Sequence, residues 1–199
     1  MLQDDLMQAV LEETQLEDGE YRQETVTGAF GKLEVARTVF RSCCFAGSDL
    51  SDTSFVDVVF EDCDFSQCHW VNGYFRGCTF LRCRGDGINF NGAFFKQTAL
   101  RESTFIYANF GQAHWESAAI AHCTLDHAAL NEMVCKKLTW EQVSLRDVDF
   151  FRTKLKGMDL SSCTLEGITV SDRFTELRGV KLDPLQAVEI ASLLGVRFV

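Results

Sequence analysis

Nine cysteines and four histidines in a chain of 199 residues are the side chains best suited to chemistry, as metal ligands or as nucleophile and base. A zinc site needs thiolates and imidazoles that converge tetrahedrally, usually with two cysteines two to four residues apart. No CxxC pair occurs here; Cys43, Cys63, Cys68, Cys78 and Cys83 recur at multiples of five. His122, Cys123 and His127 come nearest to a ligand set. His69 and His114 have no partner at triad spacing, and no glycine-rich loop offers a phosphate cradle. The acids paired in sequence, such as Glu61 and Asp62, need a pocket to shift their pKa values before they can act as acid and base. The residues therefore point to a protein that is not an enzyme and takes no metal or cofactor.

The spacing of the cysteines belongs to a larger pattern. In FEDCDFSQCHWVNGYFRGCTFLRC, residues 60–83, an aromatic returns every fifth residue, at Phe60, Phe65, Trp70, Phe75 and Phe80. Five matches neither the helical period of about 3.6 nor the strand period of 2. Of the 29 positions at multiples of five from Phe30 to Val170, 28 are apolar when Cys135 is included, and Gly85 is the exception. In a chain that is 46% hydrophobic, chance gives such a run less than about once in ten million trials. Two residues before each of these positions the side chain is mostly small, as at Thr38, Cys43, Ser48, Cys63, Cys68 and Gly73. Between the two stands a residue suited to tight turns, such as Asp49, Asp64, Asn89, Asn109, Asp149 or Asp159.

With that register the chain resembles the pentapeptide-repeat proteins, whose loose consensus is A(D/N)LXX, over about residues 26–172. The resemblance implies an all-β solenoid: a right-handed quadrilateral β-helix, one pentapeptide per face, with the large residue and the small one before it pointing inward. Twenty-nine pentapeptides make about seven coils, and at ~4.8 Å per coil the rod is about 35 Å long. Cysteine then fills the small inward position in seven of nine cases, as reduced thiols packed like small hydrophobes. His122 and His127 turn outward while Cys123 turns inward, so the three do not converge. Gly85 leaves a core rung without a side chain, to be filled by neighbours or marked by a local distortion.

The expected organisation is an acidic N-terminal cap segment over 1–27, the repeat β-helix over 28–172, and a C-terminal capping and dimerisation helix over 173–199. Leu2, Leu6, Met7, Val10 and Leu11 predict a short amphipathic N-terminal helix. Asp183 is a good N-cap, Pro184 suits the first helical position and Gly195 a C-terminal stop. Leu185, Val188, Ile190, Leu193 and Leu194, with Val196 and Phe198 beyond, give an apolar surface wider than one coil end needs. That excess predicts a homodimer joined through this cap.

Net charge is −10. In the repeat register three adjoining faces sum to −8 and the fourth, through Phe55, Phe75 and Phe95, to +4; residues 1–27 add −7. Such acidity disfavours direct nucleic-acid binding. The opening MLQDDLMQAV has no basic stretch or long apolar run, so the reading is a cytoplasmic bacterial protein without a membrane segment. Resemblance to the Qnr, MfpA and albicidin-immunity proteins, and to the loop-less MfpA type in particular, implies a DNA mimic. Its partner would be DNA gyrase or topoisomerase IV, protected against fluoroquinolones or a gyrase-poisoning toxin. The carboxylates expected to stand in for phosphates are those on the C-terminal coils: Asp126, Glu141, Asp147 and Asp149, then Asp159, Glu166 and Asp172. The alternative is a scaffold or adaptor that binds another protein through the basic face, where Tyr74, Phe94 and His114 form an outward ladder.

Overall fold

The computed structural model describes residues 1–197, and its strands pair in parallel at an offset of twenty. Phe55 lies beside Phe75 and Phe75 beside Phe95 on one wall. Phe40, Phe60 and Phe80 follow one another on the next. Single bridges through Cys44, Asp64 and Arg84 make the third wall, and through Asp49, His69 and Asn89 the fourth. The product is a parallel all-β solenoid of about eight turns, with a helix at each end.

The five-residue unit explains the square section. After each large inward residue the chain must turn, and two residues later the backbone is left-handed: Asp52, Asp57, Asp62, Gln67 and Asn72 have φ of 55 to 58°. A residue other than glycine there costs roughly 1–2 kcal/mol. The corner N–H groups recover part of that by donating to the next coil, Asp57 to the Arg76 carbonyl at 2.7 Å and Asp62 to that of Leu81 at 2.9 Å. The turn-forming acids and amides act as expected: Asp49, Asp64, Asn89, Asn109, Asp149 and Asp159 each accept the N–H two residues on, at 2.8 to 3.1 Å.

Inside, like stacks on like. Phe60 and Phe80 stack with centroids 4.7 Å apart, Phe75 and Phe95 at 4.9 Å, and Phe95 and Trp115 at 4.0 Å. Neighbouring walls meet edge to face, as Phe60 does Phe65 at 5.1 Å and 88°. All nine cysteines are free thiols. In the small inward position they do the work of a hydroxyl. Cys68 donates to the Phe45 carbonyl at 2.8 Å and Cys78 to that of Phe55 at 3.3 Å, as Thr98 does to Phe75 and Thr153 to Leu130. Burial pushes the Cys68 and Cys78 thiols up to about 12, so they are poor nucleophiles.

Two features depart from the expected repeat. The first adds a coil. Strands Gln15–Glu17 and Glu20–Arg22 pair with Glu34–Ala36 and Val39–Arg41 at an offset of nineteen, so the solenoid begins within the segment assigned to the cap and has about eight turns rather than seven. The inward residues there are Leu16, Tyr21 and Val26, and the step from Val26 to Phe30 is four residues instead of five.

The second is an open seam. Strand Val134–Glu141 pairs backward with His114–Ala121 over its whole length. Forward, among the described residues, no backbone hydrogen bond joins it to residues 154–161. Hydroxyls pin the two ends of the seam, Thr153 accepting from Met133 N–H at 2.9 Å and Ser162 from Gln142 N–H at 3.1 Å. Between them lies a cavity of about 620 Å³ lined by Leu138, Trp140 and Met158, and the Trp140 indole N–H is buried with no partner. Unpaired edges open most readily. Hydrogen exchange is therefore expected to be fast at the Lys137 and Trp140 amides. At Gln97, whose N–H donates to the Glu116 carbonyl at 2.8 Å, it is expected to be slow. Equal protection would mean that the ladder closes in solution.

Both ends are covered. Helix α1, Leu2–Glu12, lays Leu2, Leu6 and Ala9 on the first coil, leaving Met7 and Leu11 exposed. Tyr21 donates to Asp5 at 2.9 Å across that joint. Helix α2, Pro184–Leu193, starts with the expected cap: Asp183 accepts the Gln186 N–H while the Gln186 side chain accepts the Asp183 N–H, both at 2.8 Å.

Candidate partner-binding surface

Rows of charge follow directly from the ladder, because residues twenty apart stand one above another. On the wall through Phe65 and Phe105, Arg146 joins two of the expected carboxylates, with its Nε 3.1 Å from Glu166 and a terminal nitrogen 3.7 Å from Asp126. Asp126 also accepts from Ser144 Oγ at 2.6 Å and from the Arg146 N–H at 3.1 Å. Asp126 is half-buried in this way, while Glu166 stays exposed. Asp147, at a corner beside them, has the His127 Nδ1 at 3.6 Å.

Among the described residues the remaining four are in no ion pair; Asp149 is half-buried and the other three are exposed. Glu141 is exposed on the wall through Phe60, and Asp159 stands on the same wall, held below the usual carboxylate range by hydrogen bonds from the Ser161 hydroxyl and N–H. Asp149 accepts only the Phe151 N–H, and Asp172 is exposed past the last bridge of the fourth wall. The seven carboxylates thus spread over three walls of the last coils and do not converge on one point. An acidic surface of this kind suits a broad basic partner rather than a small ligand.

Helix α2 sits on the coil end by its polar side. Gln186 is its one buried residue and donates to the Leu160 and Cys163 carbonyls at 2.8 and 2.6 Å, closing bonds that the last coil lacks. Ile190 packs half-buried on the core. Leu185 is left 79% exposed, Leu194 55% and Val196 48%, with Val188 and Leu193 also open. Phe198 lies outside the described residues. On the basic wall, Tyr74, Phe94 and His114 do form the outward stack, with rings 5.7 and 5.9 Å apart.

Among the described residues no group of three His, Cys, Asp or Glu side chains could hold a metal ion, and no helix is long and apolar enough to cross a membrane. One cluster that the repeat register did not single out is cationic. Lys154, Lys156, Arg173 and Arg178 meet around a cleft where the chain departs from the five-residue unit.

A closed parallel solenoid with one five-residue unit per wall defines a class by itself. Residues 53–130 match the model described as a pentapeptide repeat region, and residues 36–69 the model for pentapeptide repeats in eight copies. The chain belongs to the pentapeptide-repeat proteins. No characterised protein sequence matches it significantly. Among solved structures, a trypsin-treated form of QnrB1, a plasmid-mediated fluoroquinolone resistance protein, is similar at 22% identity, covering 93% of this chain and 100% of that one, with a TM-score of 0.39. HetL from the cyanobacterium Nostoc sp. strain PCC 7120, involved in heterocyst differentiation regulation, is similar at 16%, covering 84% and 85%, with a TM-score of 0.47. A protein of the Arabidopsis thaliana thylakoid lumen is similar at 17%, covering 63% and 66%, with a TM-score of 0.31.

Proposed function

We propose that the chain is a homodimeric DNA mimic that occupies the DNA-binding saddle of DNA gyrase or topoisomerase IV and protects it from fluoroquinolones or a gyrase-poisoning toxin. The observation that carries this reading is a rigid rod with three contiguous acidic walls, ending in an apolar helix surface that its own coil leaves uncovered. Eight turns at ~4.8 Å give about 40 Å per chain, and two chains joined at α2 give about 80 Å, a little over twenty base pairs at ~3.4 Å each. Carboxylates near the centre of that dimer would stand where a bound duplex carries phosphates. The test is DNA supercoiling and cleavage by purified gyrase with a fluoroquinolone, across a titration of this protein. Fewer drug-stabilised cleavage complexes are the expected result. No change with gyrase and none with topoisomerase IV would overturn the reading.

A second reading rests on the Tyr74–Phe94–His114 stack beside the cations of the fourth wall, a surface fit for an adaptor that docks another protein. Tyr74 and Phe94 are half-buried in that stack, which suits shielding of the wall as well as contact.

A further inference from the structure

The last coil breaks the repeat with a built irregularity. From Ala29 and Asp49 up to Asp149 and Thr169 the coils pair at an offset of twenty. Where a regular coil bonds an N–H to the carbonyl nineteen residues on, as Phe150 does to Thr169, the Leu155 N–H reaches the Glu176 carbonyl twenty-one residues on, and Asp159 pairs with Lys181 at twenty-two instead of twenty. Two extra residues are therefore taken up between 170 and 181. They form a short 3-10 turn, Thr175–Leu177, entered through a left-handed Phe174 with φ 51°. The Glu176 carboxylate folds back under this loop and accepts the Arg152 N–H at 2.9 Å and the Ser171 hydroxyl at 2.8 Å, which fixes the loop against the wall. Gly179, at φ +75°, closes the loop against the stem of Lys156; a Cβ there would lie 3.3 Å from Lys156 Cγ.

The result is a cleft of about 860 Å³ on the side of the rod. That is within the range of small-molecule sites. Arg152, Lys154, Lys156, Arg173 and Arg178 line it against Asp172 and Glu176, net +3 in a chain of net −10. Of the five cations only Arg152 is in an ion pair, with Glu132 at 3.0 Å; the other four have no carboxylate within reach among the described residues. Phe151, 37% exposed, forms an apolar shelf beside them with the Arg152 guanidinium 4.9 Å above its ring. Four unneutralised cations around a pocket suit a ligand that carries several negative charges on one compact group. A flat aromatic beside them suits one with a planar ring attached.

We propose that this cleft binds a nucleoside polyphosphate, its phosphates among Lys154, Lys156, Arg173 and Arg178 and its base on Phe151. Of the residues proposed to face a topoisomerase only Asp172 lines the cleft, and Lys154, Lys156, Arg173 and Arg178, which would hold the phosphates, are not among them.

Isothermal titration of the full-length protein with magnesium-free ATP, tripolyphosphate and adenosine tests it. ATP is expected to saturate at one per chain, tripolyphosphate to bind less tightly and adenosine weakest. Lys154→Glu with Arg178→Glu should weaken ATP by at least about tenfold, because charge-assisted contacts to phosphate are lost and reversed. Phe151→Ala should weaken ATP about tenfold and leave tripolyphosphate unchanged. Lys136→Glu with Lys137→Glu makes the same charge change on the same wall outside the cleft, and should leave ATP binding within about twofold. Thermal melts of each variant confirm that it folds. The proposal is overturned by no saturable ATP binding at millimolar concentration, by tripolyphosphate binding as well as ATP, or by an equal loss in the Lys136/Lys137 variant. Tighter, length-dependent binding of single-stranded DNA would also overturn it, making the wall a nucleic-acid track.

Discussion

Changing Glu141, Asp149, Asp159 and Asp172 together to lysine is expected to cut binding to gyrase by about 100-fold or more, while the far-UV spectrum stays that of the parent and the melting temperature falls by only several degrees. The four were chosen because none is in an ion pair, so their removal strands no arginine. Asp126 and Glu166 are poorer choices: both hold Arg146, and losing them would confuse a binding effect with a local rearrangement. Placing eight units of charge change on a surface that must meet cations sets like charge against like, which costs several kcal/mol in all. Asp149 and Asp159 also cap their own turns through the Phe151 and Ser161 N–H groups, so about 1 kcal/mol of stability is lost at each. Titration at two ionic strengths sharpens the result, because the parent should bind far more weakly at high salt and the variant should show little salt dependence. Unchanged binding would remove these carboxylates from the interface. A loss seen instead with Lys136→Glu and Lys137→Glu would favour the adaptor reading.

The fold was legible because one constraint, a large inward side chain every fifth residue, recurs from Phe30 to Val170 with Gly85 as its one exception. The same phase hid the first coil. Leu16, Tyr21 and Val26 keep the five-residue spacing among themselves but stand one residue out of step with Phe30, because the unit around Val26 and Gly28 is one residue short. A search restarted at each phase would have found them. The seam was not legible: Cys135, Trp140 and Leu155 satisfy the inward pattern, Leu138 is only larger than most residues at its position, and whether consecutive coils close depends on how those volumes fit together. Nor was the cleft. Its cations fall on both sides of the boundary placed at 172, and only the two extra residues before Lys181 bring them together.

The C-terminal helix shows how a correct local reading can leave the packing undetermined. Asp183, Pro184 and Gln186 define the start of α2 as expected. The natural inference from its apolar residues is that they cover the coil end, with the excess left for a partner. The structure divides the labour differently. A coil end presents unpaired carbonyls, and the group that meets them must be a donor, which leucine and valine are not. Gln186 supplies that donor twice, at Leu160 and Cys163, so the helix docks by a polar residue and turns Leu185, Leu194 and Val196 outward. This arrangement supports the proposed dimer more strongly than the count of apolar residues did.

Restoring the repeat at its one exception is expected to weaken the protein. Gly85→Leu places the consensus type of residue at the only glycine among the 29 central positions, and by the sequence pattern alone it should stabilise the core. The space is already taken. A Cβ on Gly85 would lie 2.6 Å from Phe105 Cδ1 and 2.7 Å from Cε1, so the ring of the next coil lies in the place of the missing side chain. The backbone is undistorted there: the Gly85 N–H still donates to the Thr104 carbonyl at 2.7 Å, and Phe105 is fully buried. Overpacking of this kind costs about 1–3 kcal/mol, and Phe105→Ala alone should cost about 3–5 kcal/mol by leaving a cavity. In the double variant the leucine enters the space the ring has left, so the combined loss should fall short of the sum by more than about 1 kcal/mol. Urea denaturation of the four proteins measures that coupling. Additive losses, or a Gly85→Leu variant more stable than the parent, would mean that Phe105 does not fill the glycine's place, and that the interruption at Gly85 has some cause other than packing.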